Sequence, residues 1–384
     1  MKSLFTCFKS FISKHVLRSA SRDSLLILDR FYWNDKIQGH HLFLLDVKSK
    51  KLKQLHVPNV THSDMDFKMV GTCNGLLCLI HYSLDPSSTI FLWNLATRQT
   101  KRIIEPQNAL LTYKVPPHCL VGLYFNNIDS DYQVVRVHSF EDTHNACLDD
   151  SLTKLCAVRV EKYSPRTGLW REIKCRSNNN NNQCVTVSGC LFWTENSVTL
   201  EETLFWVAME VSDKVSHEMI ISFNTYTNVV SKIEFPCLVK DCVVVHKKLA
   251  VYKDSIAVII CSETETMAQR LDLWGFYEKY EGVECWCKLQ TIGMFSRLER
   301  PVGIFKNEIL MSTDKVIHSV SGAIAGLPQD DLGAKFSYNV FNYVGKFVTS
   351  YGGIVVLEED DLVENEGFSS HDLFIGNINK LSID

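Results

Sequence analysis

The sequence predicts an all-β fold: a β-propeller of about six four-stranded blades, preceded by a short N-terminal helical segment. Three observations carry this reading. A twelve-residue hairpin unit recurs four times without gaps. Short apolar runs that read as strands fill the stretches between the copies. The copies lie 48, 70 and 60 residues apart, which fits a kelch-type blade of ~50 residues with variable loops, whereas helical repeats run at ~33–34.

The chain starts with a different pattern. Phe5, Phe8, Ile12 and Val16 fall at helical spacing, with Lys9, Lys14 and Arg18 elsewhere and no acid before Asp23. The reading is a short amphipathic helix. A basic, acid-free start of this kind also fits a mitochondrial presequence.

The four gap-free copies are "LLDVKSKKLKQL" (Leu44–Leu55), "LWNLATRQTKRI" (Leu92–Ile103), "KYSPRTGLWREI" (Lys162–Ile173) and "SFNTYTNVVSKI" (Ser222–Ile233). Each has a large apolar anchor, namely Leu45, Trp93, Tyr163 or Phe223, followed by a polar residue, Asp46, Asn94, Ser164 or Asn224. Asp, Asn and Ser bond back to their own backbone and start turns. A hydroxyl comes three residues later (Ser49, Thr97, Thr167, Thr227), and an aliphatic residue nine later (Leu55, Ile103, Ile173, Ile233). The first strand of each unit is aromatic and branched, as buried strands are. The second is charged, as in Lys101-Arg102 and Arg171-Glu172, which marks a sheet edge guarded against further pairing. A fifth copy, "RLDLWGFYEKYEGVECWCKLQTI", puts Trp274 in the anchor slot, with Trp286 and Leu289 matching Trp170 and Ile173 and a turn read as five residues longer. The recurring Trp93, Tyr163, Trp170 and Trp274 are read as inter-blade core.

Between these hairpins, "GLLCLI" (75–80), "LVGLYF" (120–125), "YQVVRV" (132–137), "GCLFWT" (189–194), "LAVY" (249–252), "SIAVIIC" (255–261) and "VGIF" (302–305) read as inner strands. Two inner strands plus a hairpin make one blade, and stacked blades bury both sheet faces. "RSNNNNNQ" (176–183) and residues 141–154 read as loops, and the acidic 357–372 as a solvated loop or tail. The expected division is 1–22 helical, 23–357 propeller, and 358–384 acidic loop with tail or closing strand.

Composition excludes several functions. The net charge of −4 gives no general electrostatic case for nucleic acid. No run of ~18 apolar residues marks a membrane helix. Many of the fourteen Cys sit inside apolar runs, as small buried hydrophobes do. With no secretory signal, a reducing compartment is expected, cytoplasmic or nuclear. Cys285 and Cys287 share a strand face, but no second Cys pair exists to complete a zinc site, so they are read as packed thiols. His40 and His41 are adjacent and face opposite sides of a strand. No nucleophile-elbow, HExxH or Walker A sequence is present. The expectation is no cofactor, no metal and no catalysis.

With the repeat established, the ordered series "MVGTCNGLLCL" (Met69–Leu79), "LWNLATRQ" (Leu92–Gln99), "VGLYFNNIDSDYQVVRV" (Val121–Val137), "VEKYSPRTGLWREI" (Val160–Ile173), "MIISFNTYTNVVSKIEFP" (Met219–Pro236) and "RPVGIFKNEILM" (Arg300–Met311) resembles plant F-box proteins with an F-box-associated domain, S-locus-type relatives included. The resemblance covers roughly residues 1–315. It implies an F-box that docks on a Skp1-type adaptor of an SCF-type cullin–RING ubiquitin ligase, and a propeller that holds a protein substrate. The opening "MKSLFTCFKSFISKHVL" is similar to the distal half of an F-box; its proximal helix is not matched. The expectation is a truncated F-box in which Leu4, Phe5, Phe8, Phe11 and Ile12 supply any remaining adaptor contact. Two roles follow from the resemblance: substrate recognition for the ligase, or a stand-alone protein-interaction module that does not assemble one.

Overall fold

The computed structural model describes residues 25–343, apart from connecting residues 34–37, 58–66, 82–88, 96–97, 104–118, 129–130, 142–154, 175, 178–185, 189, 194–196, 212–215, 237–242, 264–268, 280–282, 296–299, 320, 331 and 333–334. The N-terminal candidates Leu4, Phe5, Phe8, Phe11 and Ile12, and the acidic segment 358–384, lie outside the described residues.

The described residues are all-β, and their strands form six blades in a ring. The first holds β1 (Leu25–Trp33), β2 (Gln38–Asp46) and β3 (Lys51–Leu55); the second, β4 (Phe67–Cys73), β5 (Leu76–His81), β6 (Thr89–Asn94) and β7 (Gln99–Ile103). The third holds β8 (Cys119–Asn126), β9 (Asp131–Glu141), β10 (Leu155–Ser164) and β11 (Leu169–Ile173). Two short strands follow, β12 (Arg176–Ser177) and β13 (Thr186–Ser188), the latter pairing with β10. In the fourth blade the inner strand is split into β14 (Cys190–Trp193) and β15 (Val198–Leu200), both paired to β16 (Thr203–Val211), with β17 (Ser216–Asn224) and β18 (Val229–Ile233) outside. The fifth holds β19 (Val243–Tyr252), β20 (Ser255–Glu263), β21 (Gln269–Lys279) and β22 (Val283–Phe295); the sixth, β23 (Pro301–Phe305), β24 (Glu308–Met311), β25 (Lys315–His318) and β26 (Ile324–Gly326). Finally β27 (Lys335–Tyr343) pairs antiparallel with β1, so the last strand becomes the innermost strand of the first blade. The ring is closed by hydrogen bonds between its two ends. Pairing of this kind ties the two ends of the ring together, while each blade keeps short, protected strand edges.

Every sheet is antiparallel in its four-stranded path, so the turns inside each hairpin gather on one face of the ring. The opposite face receives the connections between blades and between second and third strands. Contacts between neighbouring turns confirm the first face. Lys101 Nζ donates to Pro165 O at 2.6 Å, Lys162 Nζ to Thr225 O at 2.9 Å, and Tyr132 Oη to Asn74 O at 3.1 Å.

The core lies between blades, as six apolar clusters. Leu120, Tyr124, Val160, Trp206, Ile221 and Phe223 fill the space between the third and fourth blades. The indole of Trp206 donates to Val121 O at 2.9 Å across that boundary, so its one polar atom is satisfied without water. Gly122 permits this approach: a Cβ there would sit 3.0 Å from both Leu204 and Trp206. Inner strands such as β20 are buried on both faces, which explains their unbroken apolar runs. The charged β3, β7, β11 and β22 are outermost in their sheets. In the fourth blade, β18 is covered by two residues of β12 running parallel to it.

Candidate functional site

The repeat anchors are placed by one rule. Leu45 packs at the boundary of blades six and one, Trp93 at one and two, Tyr163 at two and three, and Phe223 at three and four. Each anchor therefore fills the gap to the preceding blade. Trp274 follows the rule at blades four and five, but only half-buried. These five are structural knobs, and their faces are covered by protein.

The polar residue after each anchor shapes a turn. Asp46 Oδ1 accepts from Lys48 N and Ser49 N at 2.9 and 3.1 Å, and its Oδ2 from Ser49 Oγ at 2.6 Å. Asn224 Oδ1 accepts from Tyr226 N, Thr227 N and Thr227 Oγ1. Ser164 Oγ accepts from Thr167 N at 3.3 Å and also bonds to Asp131. Asn94 is fully buried beneath its turn. Four residues after the polar one, the backbone turns left-handed: Lys50, Arg98, Gly168 and Asn228 have φ of 54°, 58°, 69° and 57°.

This geometry reveals a copy that sequence reasoning missed. In the sixth blade Ile317 is the anchor and His318 the polar residue; His318 Nδ1 accepts from Ser321 N at 3.2 Å. Gly322 has φ 67°, and Leu327 N, nine residues after His318, donates to Asp314 O at 2.7 Å. The spacing matches the other copies throughout. The signal was hidden because His stands where Asp, Asn or Ser was sought. In the fifth blade the extra residues do not lengthen the turn as expected. They extend both strands, to Lys279 and from Val283, with Phe276 opposite Trp286 and Leu271 opposite Ile292. Leu289 is exposed rather than matching Ile173.

That longer hairpin overhangs its neighbour and creates a groove of about 500 Å³ on the flank of blades four and five. One wall is the end of β18 and the residues after it, Lys232 to Pro236; the other is Trp274, Phe276, Cys285 and Trp286. Phe276 and Trp286 meet with ring centres 4.9 Å apart. Trp286 Nε1 donates to Glu234 O at 2.7 Å, tying the walls together. The indole N–H of Trp274 is buried with no hydrogen-bond partner. Cations stand over the rings, with Lys247 Nζ 4.3 Å from the centre of Phe235 and Lys288 Nζ 5.7 Å from that of Trp274. The groove offers aromatic faces, and its flanking charge is balanced, Lys247 pairing with Glu218 and Lys288 with Asp272, each at 2.8 Å.

The buried charges serve the scaffold. Arg30 donates to Asp314 at 2.7 Å and also pairs with Asp330, which accepts from Tyr32 Oη at 2.6 Å. Asp29 accepts from Met69 N at 3.1 Å and contacts His40 Nδ1 at 2.7 Å. Burial, then the neighbouring His40, holds the His41 imidazole below its ordinary value, so it is neutral at pH 7. Arg136 Nε bonds Glu161 at 2.9 Å, with its guanidinium 4.6 Å over Trp170. Cys285 and Cys287 face the same way with sulfurs 3.8 Å apart. Among the described residues no group of three or more His, Cys, Asp or Glu is arranged to hold a metal ion.

Comparison with known proteins gives one strong match. The family model described as "F-box associated beta propeller domain" matches residues 36–317. No curated protein matches the chain. Among solved structures, TolB from Acinetobacter baumannii is similar at 9% identity, covering 86% of this chain and 71% of its own, with a TM-score of 0.44. A putative 6-phosphogluconolactonase from Bacteroides uniformis is similar at 8% identity, covering 83% of this chain and 100% of its own, with a TM-score of 0.38.

Proposed function

The chain belongs to the F-box associated beta propeller domain family, and on that premise we propose that it is the substrate-recognition subunit of an SCF-type cullin–RING ubiquitin ligase. Family membership over most of the described ring is the observation that carries this reading. The propeller is the protein-binding part. It presents its target to a ligase whose partners carry out ubiquitin transfer, and it performs no catalysis itself. The helical segment with Leu4, Phe5, Phe8, Phe11 and Ile12 supplies the contact to a Skp1-type adaptor. The target docks on the face formed by the long connections, with the rigid ring holding those connections in place. A complex of this kind works in the cytoplasm or nucleus.

Co-expression of the chain with a Skp1-type adaptor and a cullin–RING core tests the proposal. A stable complex that transfers ubiquitin to proteins captured by the propeller is the expected result. Capture of proteins without adaptor binding overturns it in favour of a stand-alone interaction module.

A further inference from the structure

Cys285 and Cys287 lie on β22, the outermost strand of the fifth blade. Pairing with β21 is regular there, with Tyr277 opposite Cys285 and Gly275 opposite Cys287. Residues two apart on a strand share a face, and the two sulfurs are 3.8 Å apart. Trp286, between them, points to the other face, where it packs on Phe276. Both Cys are thiols and both are half-buried, so they are held in place yet reachable from solution. The ring of Tyr277 folds back over Gly275: a Cβ at Gly275 would sit 2.6 Å from that ring and 2.9 Å from its hydroxyl. The ring therefore covers β21 on the same face as the sulfurs.

Two thiols this close can be joined by a sulfur–sulfur bond or by a shared metal ion, and the strand favours the second. Each strand residue rises ~3.3 Å, so Cα atoms two apart are separated by about 6.6 Å. Their side chains stand nearly parallel, which keeps the Cβ atoms far beyond the ~3.5–4.5 Å that a disulfide needs. Forming one would pull β22 out of register with β21. A bridging ion asks for less. Two metal–thiolate bonds of about 2.3 Å span at most ~4.6 Å. The sulfurs reach that separation from 3.8 Å by side-chain rotation alone. Coordination number then selects the ion. Zinc normally takes four ligands, and among the described residues no group of three or more His, Cys, Asp or Glu is arranged around an ion. Monovalent copper is soft, prefers thiolates, and is satisfied by two of them. The missing second Cys pair, which argues against zinc, is no obstacle to it.

We propose that Cys285 and Cys287 form a two-sulfur site for one monovalent copper ion on the outer flank of the fifth blade. Each thiol releases its proton to solvent as its sulfur–copper bond forms. No electron is transferred, so no oxidant or reductant is required. The site stands independently of ligase assembly.

The test alkylates the full, reduced, metal-free chain with iodoacetamide, with and without one equivalent of Cu(I) under nitrogen. Mass spectrometry of the digested chain then gives the labelling rate at each Cys. Copper is expected to slow labelling of Cys285 and Cys287 together, at least tenfold, and to leave Cys73, another half-buried thiol, unaffected. One equivalent of Zn(II) in its place is expected to protect neither. In a Cys285→Ser chain, its folding checked by circular dichroism, copper is expected to leave Cys287 labelling unchanged. Four results overturn the proposal. They are no protection by copper, equal protection of Cys73, protection by zinc as strong as by copper, and protection of Cys287 that persists in the Cys285→Ser chain. The first three need no variant, so they hold even where the substitution disturbs folding. No adaptor or ligase component is used, so failure here leaves the ligase reading standing.

Discussion

Arg30 on the second strand of the first blade and Asp314 in the sixth blade form a fully buried ion pair at 2.7 Å. Arg30 also pairs with Asp330, in the segment that leads from the sixth blade back to the closing strand. One guanidinium thus joins three consecutive parts of the ring's seam: the first blade, the last blade and the return path. It lies 5.1 Å from the centre of the Phe43 ring, which excludes water from one side.

Removing this latch is expected to open the ring. Arg30→Met leaves two carboxylates buried without a cation, and a loss of about 3–5 kcal/mol is expected. Asp314→Asn keeps the shape and one hydrogen-bond acceptor, so a smaller loss is expected. Urea denaturation of both variants, followed by fluorescence, measures the difference. Equal losses of under 1 kcal/mol would show that β27 pairing alone closes the ring.

The anchors differ in burial, and their substitutions are expected to differ in the same order. Phe223→Ala removes a fully buried ring between two blades, at a cost of about 3–5 kcal/mol. Trp274→Ala removes a half-buried ring that borders a groove, and a loss of less than 2 kcal/mol is expected from the smaller area returned to water. Thermal and chemical denaturation of the pair checks the ranking.

The turn residue four places after each polar anchor offers a clean backbone test. Gly168 has φ 69°, and a Cβ built there meets nothing within 4 Å. Gly168→Ala therefore perturbs conformation and not packing, and is expected to destabilise by about 1 kcal/mol. Gly122→Ala is expected to cost more, for the opposite reason: its Cβ would sit 3.0 Å from Leu204 and Trp206, inside a packed blade boundary where both must shift. A denaturation midpoint for each variant decides this.

Alkaline sensitivity follows from the buried thiols. Burial pushes Cys78 up to about 12 and Cys261 up to about 11, from 9.0. Their neutral forms are held by the fold, so their contribution is complete below pH 9. Above pH 9 the unfolded chain releases protons that the folded chain retains, and stability falls by about 1.4 kcal/mol per pH unit for each group. The loss continues to pH 11 for Cys261 and to pH 12 for Cys78. His41 acts in the other direction: held neutral in the fold, it costs stability as the pH drops below 6.5. Unfolding free energies from pH 5 to pH 11 trace both limbs. At pH 8, iodoacetamide is expected to label the half-exposed Cys285 and Cys287 well before Cys78 and Cys261.

Much of the fold is legible in the chain because the hairpin unit is local. An apolar anchor, a side chain that bonds its own turn, and a charged outer strand act within twelve residues, and local chemistry leaves a local trace. The sixth copy escaped because His318 performs the turn-forming role through a ring nitrogen, which resembles Asp46 only once its contact with Ser321 is seen. The fifth copy was read with a longer turn because sequence spacing does not distinguish added turn from added strand. Pairing of Phe276 with Trp286 settles it as strand. The groove was not foreseen at all. Phe235 and Pro236 come from one blade and Trp286 from the next, with some fifty residues between them, and no local pattern links them.

The sequence by itself determined that the chain is all-β, that it is built from blades, and which residue of five hairpins faces the core, because these depend on side-chain periodicity and turn chemistry over a dozen residues. Only the tertiary structure decided that β27 closes the first blade, that Arg30 binds the seam, and that the fifth hairpin overhangs its neighbour to form a groove. Each of these joins residues far apart in sequence, Arg30 and Asp314 most of all. Pairing over such distances is selected by the packing of the completed ring, which no single segment encodes.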